Sequence, residues 1–150
     1  MRRKFFFRKK KGGEKMAFFE WKDEYRVGVK VVDQQHRRLV NLVEELYEAM
    51  KMGKGSEGAK RVLKGLVDYT KSHFRTEEEF MKASSYPGFL AHKKEHEDLA
   101  AQAEELLYQV EKGKLSVPIE TGKFLKDWLS NHIMETDKKM GVFLAKKGLG

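Results

Sequence analysis

The stretch AHKKEHEDL, residues 91–99, sets His92 and His96 four positions apart with three charged residues between them. Residues i and i+4 of a helix lie one above the other on the same face, so both imidazoles point one way. An isolated pair of this kind is as compatible with a wet helix face as with half of a metal site. What decides between the two is what the rest of the chain brings opposite the pair.

Helical periodicity extends in both directions from this stretch. Breaks at MGKGSEG (52–58), SSYPG (84–88) and GKLSVP (113–118) separate four long segments whose apolar residues recur in steps of three and four. The first is predicted from Asp33, as N-cap, to Lys51, with the inward stripe His36, Leu39, Val43, Leu46 and Met50. The second is predicted over Glu57–Ala83, with Val62, Leu66, Tyr69, His73, Glu77 and Phe80 inward. The third, Phe89–Glu111, turns His92, His96, Leu99, Ala103, Leu106 and Val110 inward. The fourth starts at Pro118, a first-turn proline, and runs to Met140 with Thr121, Leu125, Trp128 and His132. Gly113 and Gly141 are read as helix stops. Short connections make successive helices antiparallel neighbours, which predicts an all-α, up-down-up-down four-helix bundle. The aromatic-rich segment 17–32 is expected to pack along it as an N-terminal arm.

Each stripe turns polar at one level: His36 near the start of the first helix, His73 and Glu77 late in the second, His92 and His96 early in the third, His132 late in the fourth. Antiparallel packing brings these levels to the same end of the bundle. Leaving a buried polar group unpaired costs about 1–3 kcal/mol, and an unpaired charge costs far more. Five imidazoles, all those the chain has, meeting a carboxylate in a core therefore point to bound metal. His73 and Glu77 share a face at i and i+4. Asp137, five residues after His132, stands about 140° away on a regular helix, so Asp137 and Glu135 compete for a place at the cluster. Glu78, Glu79, Glu95 and Glu97 are read as surface charge.

The donor set narrows the metal. It is too large for one tetrahedral zinc, and a chain without cysteine offers no thiolate for a copper electron-transfer or iron–sulfur site. The stripes lack the Glu-x-x-His pattern of ferritin-like di-iron bundles. A pair of metal ions of intermediate softness fits. Few carboxylates beside many imidazoles favour reversible ligand chemistry over strong oxidation.

The ordered motifs DQQH (33–36), HFRTEEEF (73–80), HKKEH (92–96) and WLSNHIMETD (128–137), with YPGFLAHKKEH and DKKMGVFL, resemble the hemerythrins, most closely the bacterial and archaeal single-domain members. The resemblance spans about residues 17–147. It implies a non-haem di-iron centre, with one iron on His92, His96 and His132 and the other on His36 and His73, the latter keeping an open position. It implies Glu77 and Asp137 as bridges beside an oxo or hydroxo group, and so selects Asp137 over Glu135. It further implies that O2 binds reversibly at the open iron, in a pocket lined by Phe74, Trp128 and Leu129, for storage, delivery or sensing. An enzyme acting on peroxide or nitric oxide, or an iron-handling protein, is the alternative. Trp21 is assigned to arm packing.

Composition bounds the remainder. The net charge of +8 is concentrated in residues 1–15, which carry eight Lys or Arg against one Glu. The expectation is a solvated, flexible basic extension preceding a domain over residues 16–150 rather than a nucleic-acid-binding face, the alternative being a segment that touches an anionic membrane or an acidic partner. No apolar run reaches the ~20 residues of a membrane span, and FFF is too short for a secretory h-region. A cytoplasmic protein is expected.

Overall fold

The computed structural model describes residues 17–51, 55–112 and 119–149. Four rods form an up-down-up-down bundle: α1 (Lys30–Lys51), α2 (Gly55–Ser84), α3 (Phe89–Glu111), and a fourth built from α4 (Ile119–Asn131), a π-helical segment (His132–Asp137) and α5 (Lys138–Lys146). The expected bundle is therefore present. α1 packs against α2 and α4, and α2 also packs against α3. The basic segment 1–15 and the expected stops and starts at Gly113 and Pro118 lie outside the described residues.

The core follows the apolar stripes. Leu39, Val43, Leu46 and Leu63 are fully buried, each contributing about 1.5–3 kcal/mol relative to exposure. In α2 the predicted Leu66, His73 and Glu77 are buried, whereas Val62, Tyr69 and Phe80 are half-buried, and Leu63, Val67, Thr70 and Phe74 widen the buried face. Leu99 and Leu106 of α3, and Met50 of α1, are also only half-buried.

The arm is clamped to two helices. The Phe19 N–H donates to Glu44 Oε1 at 2.8 Å, and Lys126 Nζ donates to the Phe18 carbonyl at 2.7 Å. The Phe18 ring stacks on Tyr47 with centroids 3.7 Å apart. Trp21 packs edge-on to Tyr25 and beneath the Arg37 guanidinium, so arm packing is its role here.

Two boundary expectations are corrected. Asp33 does not cap α1 but lies in its first turn. Its carboxylate reaches back to accept the N–H groups of Val27 (2.8 Å) and Gly28 (3.3 Å), tying the arm's exit to the helix. Gly141 does not stop the fourth rod, which continues to Lys146. A Cβ on Gly141 would stand 2.0 Å from the Val27 carbonyl oxygen, so the glycine is a crossing point where arm backbone meets helix backbone. α2 does end in a left-handed residue, Ser85 (φ 58°), with the Tyr86 N–H bonded to the Met81 carbonyl, a Schellman-type stop without glycine.

Candidate metal centre

Four rods deliver seven donors to one level: His36 from α1, His73 and Glu77 from α2, His92 and His96 from α3, His132 and Asp137 from the π segment. All seven are buried, none more than 4% exposed. They form two overlapping groups, Glu77–His92–His96–His132–Asp137 and His36–His73–Glu77–Asp137, each with donor atoms within 4.8 Å of one another.

The carboxylates divide their oxygens between the groups. Glu77 Oε2 faces His36 Nε2 (3.1 Å) and His73 Nε2 (2.8 Å), while Oε1 faces His92 Nε2 (3.2 Å) and His96 Nε2 (3.0 Å). Asp137 Oδ2 faces His36 Nε2 (2.9 Å), and Oδ1 faces His92 and His132 Nε2 (3.0 Å each). Separations near 3 Å are those of neighbouring donors placed about 2.1 Å from a shared cation at right angles. Several of these close atoms lack hydrogen-bond geometry, among them both Asp137 oxygens and Nε2 of His73, His92 and His132. His36 and His96 do hydrogen-bond to Glu77, but the other atoms are close without pairing, as donors arranged for a cation would be.

The π segment is what admits Asp137. Its i→i+5 bonding, seen in the Lys138 N–H to Ile133 carbonyl bond, widens the turn and brings the fifth residue round beside the first. His132 Nε2 and Asp137 Oδ1 consequently meet, whereas Glu135 is exposed. Sequence geometry alone left these two carboxylates in competition. A π turn has no simple residue signature, although a donor five residues after a core histidine is the hint of one.

Two glutamates read as surface charge are not. Glu78 Oε2 accepts from His96 Nδ1 at 2.8 Å, and Glu95 Oε2 accepts from His132 Nδ1 at 2.7 Å. Thr136 Oγ1 donates to both Glu95 oxygens, at 2.9 and 3.0 Å. Gln35, which sequence reasoning passed over, accepts from His73 Nδ1 at 2.6 Å. With Nδ1 donating outward, Nε2 is the nitrogen that each of these three imidazoles turns towards the cluster, where its lone pair serves a cation once that nitrogen is deprotonated. Glu79 and Glu97 are exposed, as expected.

Without metal, protons balance the cluster. Burial opposes charge on His36, His92 and His132, but Asp137 and Glu77, joined at His132 by Glu95, outweigh it and push them up to about 9, about 9 and about 10. Burial prevails at His73, which is lowered. Burial would raise both carboxyls, yet the surrounding imidazoles hold Glu77 and Asp137 well below the usual carboxylate range.

Phe74 stacks on His96 with centroids 3.8 Å apart and also approaches His73 and His132, so it borders both groups. Trp128 and Leu129 are buried one turn before His132, on its face of the helix. A surface groove of about 740 Å³ between α3 and α4, around Leu106 and Phe124, involves none of these residues.

A four-helix bundle with a buried histidine–carboxylate cluster suited to two cations defines the class. Residues 27–144 match the family model described as the hemerythrin HHE cation binding domain. Over 131 residues the chain is 35% identical to the bacteriohemerythrin of Methylococcus capsulatus, covering 87% of this chain and 99% of that one. It is 33% identical to myohemerythrin-1 of Phascolopsis gouldii, covering 81% and 90%. A crystal structure of wild-type hemerythrin superposes with a TM-score of 0.82 at 32% identity, covering 86% of this chain and 99% of that one. The chain belongs to the hemerythrin family.

Proposed function

We propose that this protein binds O2 reversibly at a non-haem di-iron centre, for storage, delivery or sensing. His92, His96 and His132 would hold one iron, His36 and His73 would hold the other, and Glu77 and Asp137 would be shared between them. The observation that carries this reading is the division of each carboxylate's oxygens between the two histidine groups. That is the arrangement a bridging carboxylate needs. One group offers five residues and the other four, so a cation held by the smaller group would have room for a small diatomic ligand, O2 or nitric oxide. When bound, the iron pair supplies the two electrons that O2 accepts on binding and returns on release.

The side chains make that exchange reversible. Phe74, Trp128 and Leu129 wall the pocket with apolar surface, keeping out the water and protons that would convert bound O2 into released hydrogen peroxide. Every buried imidazole and carboxylate among the described residues belongs to the cluster. None is left as a separate acid or base for turnover, which favours binding over catalysis on peroxide or nitric oxide.

The test is anaerobic reduction of the iron-loaded protein followed by O2 titration. The expected result is a visible charge-transfer band that forms with O2 and disappears when O2 is removed, over repeated cycles. Multiple turnovers of peroxide or nitric oxide without such a band would replace this reading with the enzymatic one.

A further inference from the structure

The outward nitrogens of the five imidazoles do not meet equal partners. In the three-histidine group, His96 Nδ1 donates to the Glu78 carboxylate and His132 Nδ1 to the Glu95 carboxylate, at 2.8 and 2.7 Å. In the two-histidine group, His73 Nδ1 donates to the neutral Gln35 amide at 2.6 Å. The buried Nδ1 of His36 has no hydrogen-bond partner among the described residues, and the same is true of His92. Two negative charges therefore back one metal position and none backs the other. These contacts are built rather than incidental. Glu78 is mostly shielded, its side chain 18% exposed. Glu95, more open at 40%, is held by the Thr136 hydroxyl of the π segment.

From this asymmetry we infer that Glu78 and Glu95 are positioning residues that make the three-histidine position the stronger donor site, holding its iron in the ferric state more tightly than the two-histidine position does. The inference rests on the di-iron reading above. A carboxylate that accepts the Nδ1–H bond draws that proton outward and leaves more electron density on Nε2, which raises ligand basicity. A trivalent ion gains more from that density than a divalent one. Reduction adds one electron to one iron, delivered by a one-electron mediator. The Nδ1 proton remains on its imidazole in both states, so no proton is exchanged. Thr136 orients Glu95, and Gln35 orients His73 without adding charge.

The test is a mediated redox titration of iron-loaded wild type, Glu95→Gln, Glu78→Gln and Gln35→Glu, with iron per chain measured for each. Glutamine keeps an acceptor for Nδ1–H but removes the charge. Each Glu→Gln change should shift the reduction equilibrium of the three-histidine iron about tenfold towards ferrous, which is about 59 mV upward for a one-electron step. Gln35→Glu should lower the potential of the other iron, an effect that a purely structural role for these residues does not produce. If Glu95→Gln loads iron poorly, Glu95→Asp should restore both loading and a near-wild-type potential. Full loading with potentials unchanged in both Glu→Gln variants overturns the inference, as does a potential in Glu95→Asp equal to that of Glu95→Gln. A wild type that takes up no iron overturns the di-iron reading itself, and this inference with it.

Discussion

Two levels of the bundle are built on opposite principles. Towards one end Leu46, Leu63, Val110 and Leu125 are buried in the common apolar core, and stability comes from removing apolar surface from water. At the other, five imidazoles and two carboxylates occupy the same core stripes with almost no exposure. Their burial is unfavourable unless charge is balanced inside, by protons or by cations. The apolar end accepts volume-conserving apolar replacements at small cost, whereas each donor at the polar end is tied to a particular partner. One helical frame thus carries a part that stabilises and a part that binds.

This contrast is most sharply broken at Glu77, the carboxylate common to both donor groups. Glu77→Ala should lower iron from about two per chain to less than one by metal analysis. It should also destabilise the metal-free protein by about 3–5 kcal/mol in denaturant unfolding, because buried charged imidazoles lose their partner. The matching change at the apolar end, Leu63→Ala, should cost about 2–5 kcal/mol through the cavity it leaves, with iron per chain unchanged. Loss of iron in the Leu63 variant alone would show that the two ends are not separable.

The pH response separates the ends further. His36, His92 and His132 are raised to about 9, about 9 and about 10 in the folded metal-free protein, against about 6.5 unfolded. Their stabilisation is complete below about pH 6.5 and disappears as pH rises through 9 to 10. Glu77 and Asp137 are depressed, so theirs is present above about pH 4 and is lost in acid. The metal-free melting temperature should therefore peak between about pH 5 and 6.5 and fall towards pH 10, on the order of 5–10 °C. Iron affinity should move the other way over that alkaline range, since the raised imidazoles must release protons to bind. Parallel changes in both quantities would contradict the proton-for-metal exchange.

Leu129 sharpens the comparison, being an apolar residue placed at the polar end. On the proposed O2-binding reading, Leu129→Ala would open the pocket wall, and autoxidation should accelerate about tenfold, followed by decay of the visible band. An unchanged decay rate would remove Leu129 from the pocket.

Much of this was legible from residue spacing. The four periodic stripes imply the bundle, and the level at which each turns polar implies that distant histidines meet. Contacts that depend on backbone irregularity or on cross-helix reach were not legible. Asp137 enters the cluster because the fourth rod widens into a π turn, which regular helix geometry places out of reach. Glu78 and Glu95 look like solvated charges beside their own neighbours in sequence. Each finds its histidine on another rod, and only assembled helices reveal that. Gly141 has the look of a helix stop, but what demands glycine there is the Val27 carbonyl, 114 positions earlier in the chain.

The central claim is that the polar end is a two-metal site with bridging carboxylates. Iron analysis of the reduced, reconstituted protein, with Mössbauer spectra of its oxidised form, tests it most directly. The expected result is about two irons per chain, matching the two donor groups, with spectra showing a magnetically coupled pair in two unequal environments. One iron per chain, or two uncoupled irons, would contradict it.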